Sequence, residues 1–383
     1  MRCKLLWVLS SAAVLLSLAT PVRSEYLLGW YDREGRIENL AHFGKTHVNV
    51  VIPYGAKYYD GARAVRYLDE AQRHNVQVVV DLYVTPAWNI PFSRLTEIAE
   101  ATKGHPALAG NYIMDEPRYA LRSAFGGDTD RKVEFVTEAY EAIRKGNPDA
   151  PIWIVFAHQV EPEYRDLYDV LMVDHYPGWT DPLEPVFHRY VRLSWRRWKD
   201  GSDYAKEHGK PYYPVGLAFI LPNRPDDTPR PLTWEEMLYH FYTGVVADSD
   251  GFVFYAYHHA HHEDGHYRKM VERLFAQMAP LRGAIGEGRM SDPRVSASVD
   301  EEKLVYRYGV DPENGKNVLV AVNIARWDAR DNDGETLENV RFTLPEEGRP
   351  QRVAVHGEER TVAVEDGHIT DEFAPFAVHV YTW

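Results

Sequence analysis

The sequence predicts a (β/α)8 TIM barrel followed by a small all-β sandwich domain. Three observations carry this. Strand-like apolar runs alternate with helical segments as far as Gly288, giving eight strand–helix units. One run, Leu108 to Met114, stops abruptly at Asp115-Glu116-Pro117. That junction reads as a strand delivering two adjacent carboxylates to its C-terminal end, where proline stops the ladder because it has no N–H to donate. Beyond Gly288 the strand-like runs shorten and turn signals multiply. A doubly wound open sheet is the competing fold. It usually places a Gly-rich phosphate loop after its first strand, and here that strand ends Gly29-Trp30-Tyr31-Asp32.

The elements follow in order. Tyr26 to Tyr31 is the first strand and Ile37 to Phe43 a short helix. His47 to Ile52 is rich in valine and reads as the second strand. Ala62 to His74 carries apolar residues at Val65, Leu68 and Ala71, a helical spacing. Val76 to Tyr83 is nearly continuous and apolar, as a strand buried on both faces should be. A helix over Phe92 to Lys103 ends at Gly104, a C-cap residue by type. The fourth strand, Leu108 to Met114, carries the carboxylate pair. Arg131 to Lys145 is the next helix, and Pro151 to Phe156 and Val170 to Val173 are the fifth and sixth strands. A long helix covers Pro185 to Glu207, and Tyr212 to Phe219 is the seventh strand. Thr233-Trp234-Glu235-Glu236 opens the next helix as a capping box. Phe252 to Tyr255 is the eighth strand and Tyr267 to Gly283 the last helix. In the tail, Leu304 to Tyr308, Val318 to Asn323, Val340 to Leu344, Arg352 to Val355, Thr361 to Val364 and Ala377 to Tyr381 are the sandwich strands.

The expected organisation is a signal peptide over 1–24, a barrel over 25–288 and a sandwich over 289–383. Arg2 and Lys4 form a basic start, Leu5 to Ala19 an apolar stretch, and Val22-Arg23-Ser24 a small-residue cleavage site. The apolar stretch is shorter than the roughly 20 residues a spanning helix needs. The chain is therefore expected to be secreted or periplasmic. Its single cysteine, Cys3, lies in that leader, so the mature chain has neither disulfide nor thiolate chemistry. Forty-three Lys and Arg against 57 Asp and Glu give a net charge of −14. Such a chain repels nucleic acid and anionic membranes, which leaves neutral or cationic partners.

Aromatic residues make up 13 % of the chain, and many fall at expected strand ends: Trp30, Tyr31, Tyr54, Tyr83, Trp88, Tyr176, Trp179 and Tyr257. Rings with polar tips at one end of a barrel suit stacking on sugars. The carboxylates at strand C-termini are Asp81 after the third strand, Asp115 and Glu116 after the fourth, and Asp174 after the sixth. Glycosidases hold two carboxyl groups about 5–5.5 Å apart for retention and about 6.5–9.5 Å for inversion, one of them an acid. Adjacent residues of a strand point to opposite faces. Asp115 and Glu116 can thus share one pocket only where the strand is already turning, which Pro117 provides for. The expected catalytic residues are Glu116 as acid, Asp115 as orienter or stabiliser and Asp174 as a supporting carboxylate. Tyr31, Asp81, Tyr83, Trp88, His175, Tyr176, Tyr257 and His258 are expected to bind substrate. Lys57, Arg118 and Arg224 are loop cations able to meet an acidic sugar or solvent, and Arg224 to Arg230 is a loop that either overhangs the mouth or serves as a plain connector.

These residues carry a resemblance to the TIM-barrel glycoside hydrolases of clan A, over most of the mature chain. Gly110-Asn111-Tyr112-Ile113-Met114-Asp115-Glu116-Pro117 resembles that clan's Asn-Glu-Pro at the fourth strand, where the Glu is the acid/base. Val170 to Pro177 resembles its sixth-strand region and Gly251 to Tyr257 its eighth. The tail ending Phe373-Ala374-Pro375-Phe376-Ala377-Val378-His379-Val380-Tyr381 is similar to its accessory β-domains. The resemblance implies hydrolysis of O-glycosidic bonds in a poly- or oligosaccharide, with no cofactor.

One departure stands out. The clan's nucleophile is a Glu at the end of the seventh strand, and here Val215-Gly216-Leu217-Ala218-Phe219 has no acid. Three routes stay open. A substrate N-acetyl group serves as nucleophile, as in glycoside hydrolase families whose adjacent Asp-Glu act as orienter and acid. Or the enzyme inverts, with Asp174 or Asp81 activating water. Or the barrel binds carbohydrate without cutting it. A rival class is metal-dependent hydrolysis, because His258, His259, His261, His262 and His266 crowd the region after the eighth strand and 262–266 matches the HExxH string. That motif needs both histidines on one helical face, and Gly265 disfavours the helix by roughly 1 kcal/mol. The expectation is no metal.

Overall fold

The computed structural model describes residues 26–32, 35–53, 60–177, 184–219, 231–260, 262–325 and 334–383, with side chains omitted over 184–190 and 262–264. The leader 1–24, Tyr54, Lys57, Trp179, the loop 224–230 and His261 lie outside the described residues.

Eight parallel strands close into a barrel in sequence order: β1 (Leu27–Tyr31), β2 (Val50–Ile52), β3 (Gln77–Asp81), β4 (Leu108–Asp115), β5 (Ile152–Ala157), β6 (Val170–Asp174), β7 (Tyr212–Leu217) and β8 (Gly251–Tyr255). The last pairs back onto the first through Leu27 and Gly251. Helices α1 (Ile37–Lys45), α2 (Gly61–Arg73), α3 (Phe92–Ala101), the short α4 (Pro117–Ala120) and α5 (Arg122–Phe125), α6 (Thr129–Gly146), α7 (Glu184–Glu207), α8 (Trp234–Val246), α9 (His262–Met278) and α10 (Arg282–Glu287) lie between and after them. The strands are buried throughout or nearly so, which explains why they read as continuous apolar runs and not as alternating ones. The capping box at Thr233 and Glu236 is present in full.

Two differences from the sequence reading have physical reasons. Helix α9 begins at His262 and not at Tyr267, with Gly265 in the left-handed region (φ 73). A positive φ at that glycine interrupts the regular helical repeat on which an HExxH face depends. The last barrel helix also breaks at Ala279–Leu281 into a 3-10 turn followed by α10, because Pro280 has no N–H to continue the α ladder.

The tail forms two antiparallel sheets. One is three-stranded, β10 (Ser296–Ala297), β13 (Leu337–Thr343) and β16 (His368–Phe373). The other is six-stranded, in the order β15 (Arg360–Ala363), β14 (Arg352–Val355), β17 (Val378–Thr382), β12 (Asn317–Asn323), β11 (Leu304–Val310) and β9 (Arg289–Met290). Their facing residues make a second core, with Leu319, Ala321, Phe342, Ile369, Phe373 and Tyr381 at its centre. Strand β16 was not legible beforehand: His368-Ile369-Thr370-Asp371-Glu372-Phe373 has only two strongly apolar residues, and pairing with β13 decides its structure. The sandwich docks on α8 and α10 of the barrel. At Gly309 a Cβ would overlap the Ala284 carbonyl, so glycine allows β11 to lie directly on α10.

Candidate active site

The C-terminal ends of the barrel strands gather the carboxylates. Strand β4 is irregular: Tyr112 pairs with Trp153, and the next paired residue is Met114 with Ile154, so Ile113 is an extra residue. Such a bulge shifts the side-chain alternation by one. Tyr112 and Asp115, three apart, therefore face the same side, and the Tyr112 hydroxyl donates to Asp115 Oδ1 at 2.9 Å. The backbone turns at once. Glu116 lies in the left-handed region (φ 44), its N–H still donates to the Val155 carbonyl at 3.0 Å, and Pro117 opens α4. This turn is how two neighbouring carboxylates come to serve one pocket.

From β6, Asp174 reaches the same place. It is almost fully buried, and its carboxyl interacts with Glu116 and the Tyr176 hydroxyl. Burial first, then the Glu116 and Asp115 carboxylates, hold it well above the ordinary carboxylate range. Asp174 is thus biased toward its protonated form, beside Glu116. Its Oδ1 is buried without a hydrogen-bond partner. Asp81, at the end of β3, is also buried and accepts from the Tyr83 N–H at 2.9 Å.

Around these acids stands an aromatic wall. Tyr31 meets Tyr112 edge-on at 5.8 Å and Tyr255 at 5.6 Å. Tyr176 packs on Phe219 at 5.0 Å and on Tyr255 at 5.9 Å. Across the mouth, Tyr83 meets Trp88 at 5.0 Å, Trp88 standing on a 3-10 turn over Pro86–Trp88. His258 and His259 lie against Tyr255, with ring centroids at 6.2 and 6.3 Å. Burial and the nearby carboxylates push the Tyr31, Tyr83 and Tyr176 hydroxyls above their ordinary values, so each remains a hydrogen-bond donor at neutral pH.

Two expected residues are not in the mouth. His175 follows Asp174, so strand alternation turns it outward. Its ring packs among Trp198, His158 and His240, behind β6. Tyr257 lies two residues past Tyr255, but β8 has ended and the chain is already turning. Its ring packs on Trp30 and Phe43, under α1. Tyr255 occupies the wall in its stead.

Sequence reasoning also passed over Glu161. Like Glu116 it precedes a proline, and the two residues cap short helical segments that start at Pro117 and Pro162. The repeated Glu-Pro at successive strand ends was the available signal. Glu161 is 5 % exposed, and Arg118 Nε lies 3.9 Å from its Oε1. Burial, outweighing Arg118, pushes its carboxyl up to about 7. His158, just after β5, is held below its ordinary value, first by burial and then by Arg197.

Among the described residues, no group of three or more His, Cys, Asp or Glu is placed to hold a metal ion, and no helix is long and apolar enough to cross a membrane. No family model matches the chain, and no curated protein matches its sequence. Solved structures do match in shape. One described as a glycoside hydrolase is 10 % identical, covers 94 % of this chain and 95 % of its own, and superposes with a TM-score of 0.58. An Anoxybacillus alpha-amylase is 10 % identical over 94 % of this chain and 98 % of its own, with a TM-score of 0.52. AmyP in complex with maltose is 11 % identical over 92 % of this chain and 90 % of its own, with a TM-score of 0.50. At these identities the likeness is one of fold. The chain has the barrel-plus-sandwich fold of these glycoside hydrolases.

Proposed function

We propose that the protein is an exported glycoside hydrolase, secreted or periplasmic, that cleaves O-glycosidic bonds of a poly- or oligosaccharide by carboxylate catalysis. The observation that carries this reading is the Asp174–Glu116 carboxyl pair at the barrel mouth, Asp174 held well above the ordinary carboxylate range, beneath a wall of aromatic rings. Two carboxyls that cannot both ionise form a proton store at neutral pH. Glu116 is the more exposed member and presents the proton to the glycosidic oxygen, while Asp174, locked behind it, resupplies Glu116. Tyr83, Trp88, Tyr176 and Tyr255 provide faces for sugar rings.

Asp115 takes the other role. Held by Tyr112, it orients and stabilises the group that attacks the anomeric carbon. The proton-holding state of Asp174 is the wrong one for a base that activates water, and Asp81 already spends an oxygen on the Tyr83 N–H. With no acid at the end of β7, this favours attack by a substrate N-acetyl oxygen, with Asp115 as its orienter and Glu116 as acid. The proton given to the leaving oxygen is restored to the pair when water opens the cyclic intermediate.

The test is product release from a glycan panel, N-acetylated sugars included, by wild type and Glu116→Gln. Loss of an acid/base group typically lowers turnover by about 100- to 10,000-fold. Turnover that survives in Glu116→Gln sinks the assignment. Binding without turnover by wild type favours a non-catalytic carbohydrate-binding role.

A further inference from the structure

We propose that Glu161 is a positioning residue for Glu116, acting through the Arg118 guanidinium, so that the charge on Glu161 sets how firmly the turn carrying Glu116 is held. The inference rests on reading Glu116 as the acid and goes beyond it by assigning a control on its geometry.

The residues form a short chain of contacts. Glu116 is the left-handed residue on which β4 breaks into α4, and Arg118 is two residues on. The Arg118 side chain reaches the Glu161 carboxyl at 3.9 Å, while its backbone carbonyl accepts from Lys132 Nζ on α6 at 3.3 Å. α4 is only four residues long. Such a helix cannot hold itself by its own hydrogen bonds; the Glu116 N–H bond to Val155 and buried Pro117 and Leu121 anchor its base, and these two tethers hold Arg118. Lys132 is a permanent one. Glu161 is conditional, because a neutral carboxylic acid does not hold a guanidinium as an anion does.

The charged and titratable groups facing Glu161 are Arg118 from α4, Lys132 from α6, Glu163 and Tyr164 from its own 3-10 segment and Glu116 from the end of β4. His158, after β5, senses Glu116. Arg118 and Lys132 favour the charged form of Glu161; burial, Glu163 and Glu116 oppose it, and the balance lies at about 7. Below that pH Glu161 is neutral and Arg118 is released. Above it the ion pair forms and the turn tightens.

The test uses the full chain as wild type, Glu161→Gln, Glu161→Asp and Arg118→Met. Hydrogen exchange of the 116–125 segment, corrected for intrinsic rates, is compared about one pH unit below and above 7. Wild type and Glu161→Asp should gain protection with rising pH, and Glu161→Gln and Arg118→Met should stay at the low-pH level. Turnover should follow, with kcat lower by about tenfold in Glu161→Gln and KM little changed, the cost of a misplaced catalytic group. A protection step that persists in Glu161→Gln or Arg118→Met overturns the proposal. If the step behaves as expected but Glu116→Gln remains active, the conditional tether stands and the reading of Glu116 is what fails.

Discussion

Tyr112 and Asp115 sit three residues apart on one strand and still meet, the hydroxyl donating to the carboxylate at 2.9 Å. A regular strand would send them to opposite faces. The extra residue at Ile113 brings them together, at the one point where β4 must present an acid to the mouth. Tyr112→Phe keeps the ring against Tyr31 and removes the hydroxyl that serves Asp115 and also meets the Tyr31 hydroxyl. A hydrogen bond to a charged group is worth about 1.5–3 kcal/mol. If Asp115 orients the attacking group, steady-state kinetics should show kcat down by about tenfold or more with KM nearly unchanged. A raised KM with kcat unchanged would assign Asp115 to ground-state binding.

Asp174 gives a pH-dependent stability with a definite sign. Its carboxyl is held above the ordinary value by burial and by Glu116 and Asp115. A group whose folded pKa is raised contributes fully below its unfolded pKa of about 3.9 and loses that contribution as pH rises toward the folded pKa. Asp174→Asn abolishes this loss. Thermal unfolding should find the variant close to wild type near pH 4 and increasingly more stable than wild type as pH rises to neutrality. Its turnover should nevertheless collapse, because an amide cannot resupply a proton. A stability difference that is constant with pH would mean that Asp174 is ionised in the folded protein.

Trp88 stands half-exposed on its 3-10 turn, edge-on to Tyr83. On this reading it touches sugar and takes no part in proton transfer. Aromatic contacts of this sort are worth about 0.5–1.5 kcal/mol beyond area burial. Trp88→Ala should therefore raise KM by about 3- to 10-fold and leave kcat within a factor of about two. A collapse of kcat would instead tie Trp88 to the alignment of the reacting atoms.

The barrel was legible because its strands are buried on both faces, and such strands announce themselves as Val-rich runs: Val78 to Val80 and Ile152 to Phe156 need no context. Asp174 and Glu116 were legible as strand-end acids for the same reason. What escaped was whatever depends on the first residues past a strand. His175 was placed in the mouth and faces outward, because β6 keeps its alternation to the end. Tyr257 was placed there and packs under α1, because β8 does not. The bulge at Ile113 leaves no mark in the sequence, since an extra residue in an apolar run is still apolar. Glu161 was passed over because its weight comes from burial and from Arg118, both products of tertiary packing.

The seam between barrel and sandwich hangs on Arg307. It projects from β11, is 5 % exposed, and its Nη1 donates to the Val245 carbonyl at 2.8 Å and the Ser249 carbonyl at 3.1 Å, both at the foot of α8. Asp248 lies 3.8 Å from its Nε, and the Tyr26 ring 6.0 Å from the guanidinium carbon. Burial pulls its pKa down, with Asp248 and Tyr26 opposing, yet a guanidinium stays charged at any working pH. Arg307→Ala would take the side-chain donor from the buried Ser249 carbonyl and one of two donors from the Val245 carbonyl, which keeps the Asp248 N–H at 3.1 Å, while Asp248 keeps Lys206 Nζ at 2.8 Å. Each orphaned polar group costs about 1–3 kcal/mol. We expect a loss of about 1–3 kcal/mol by that reckoning, and Arg307→Lys, a shorter side chain without the guanidinium beside the Tyr26 ring, should recover only part of it. A chain of two cores need not unfold in one step. Calorimetry should therefore show the single transition of wild type split in Arg307→Ala, the sandwich melting first. The barrel mouth is built from residues that Arg307 does not touch, so turnover below the first transition should match wild type. A variant that loses activity while still folded would show that the sandwich also shapes the site.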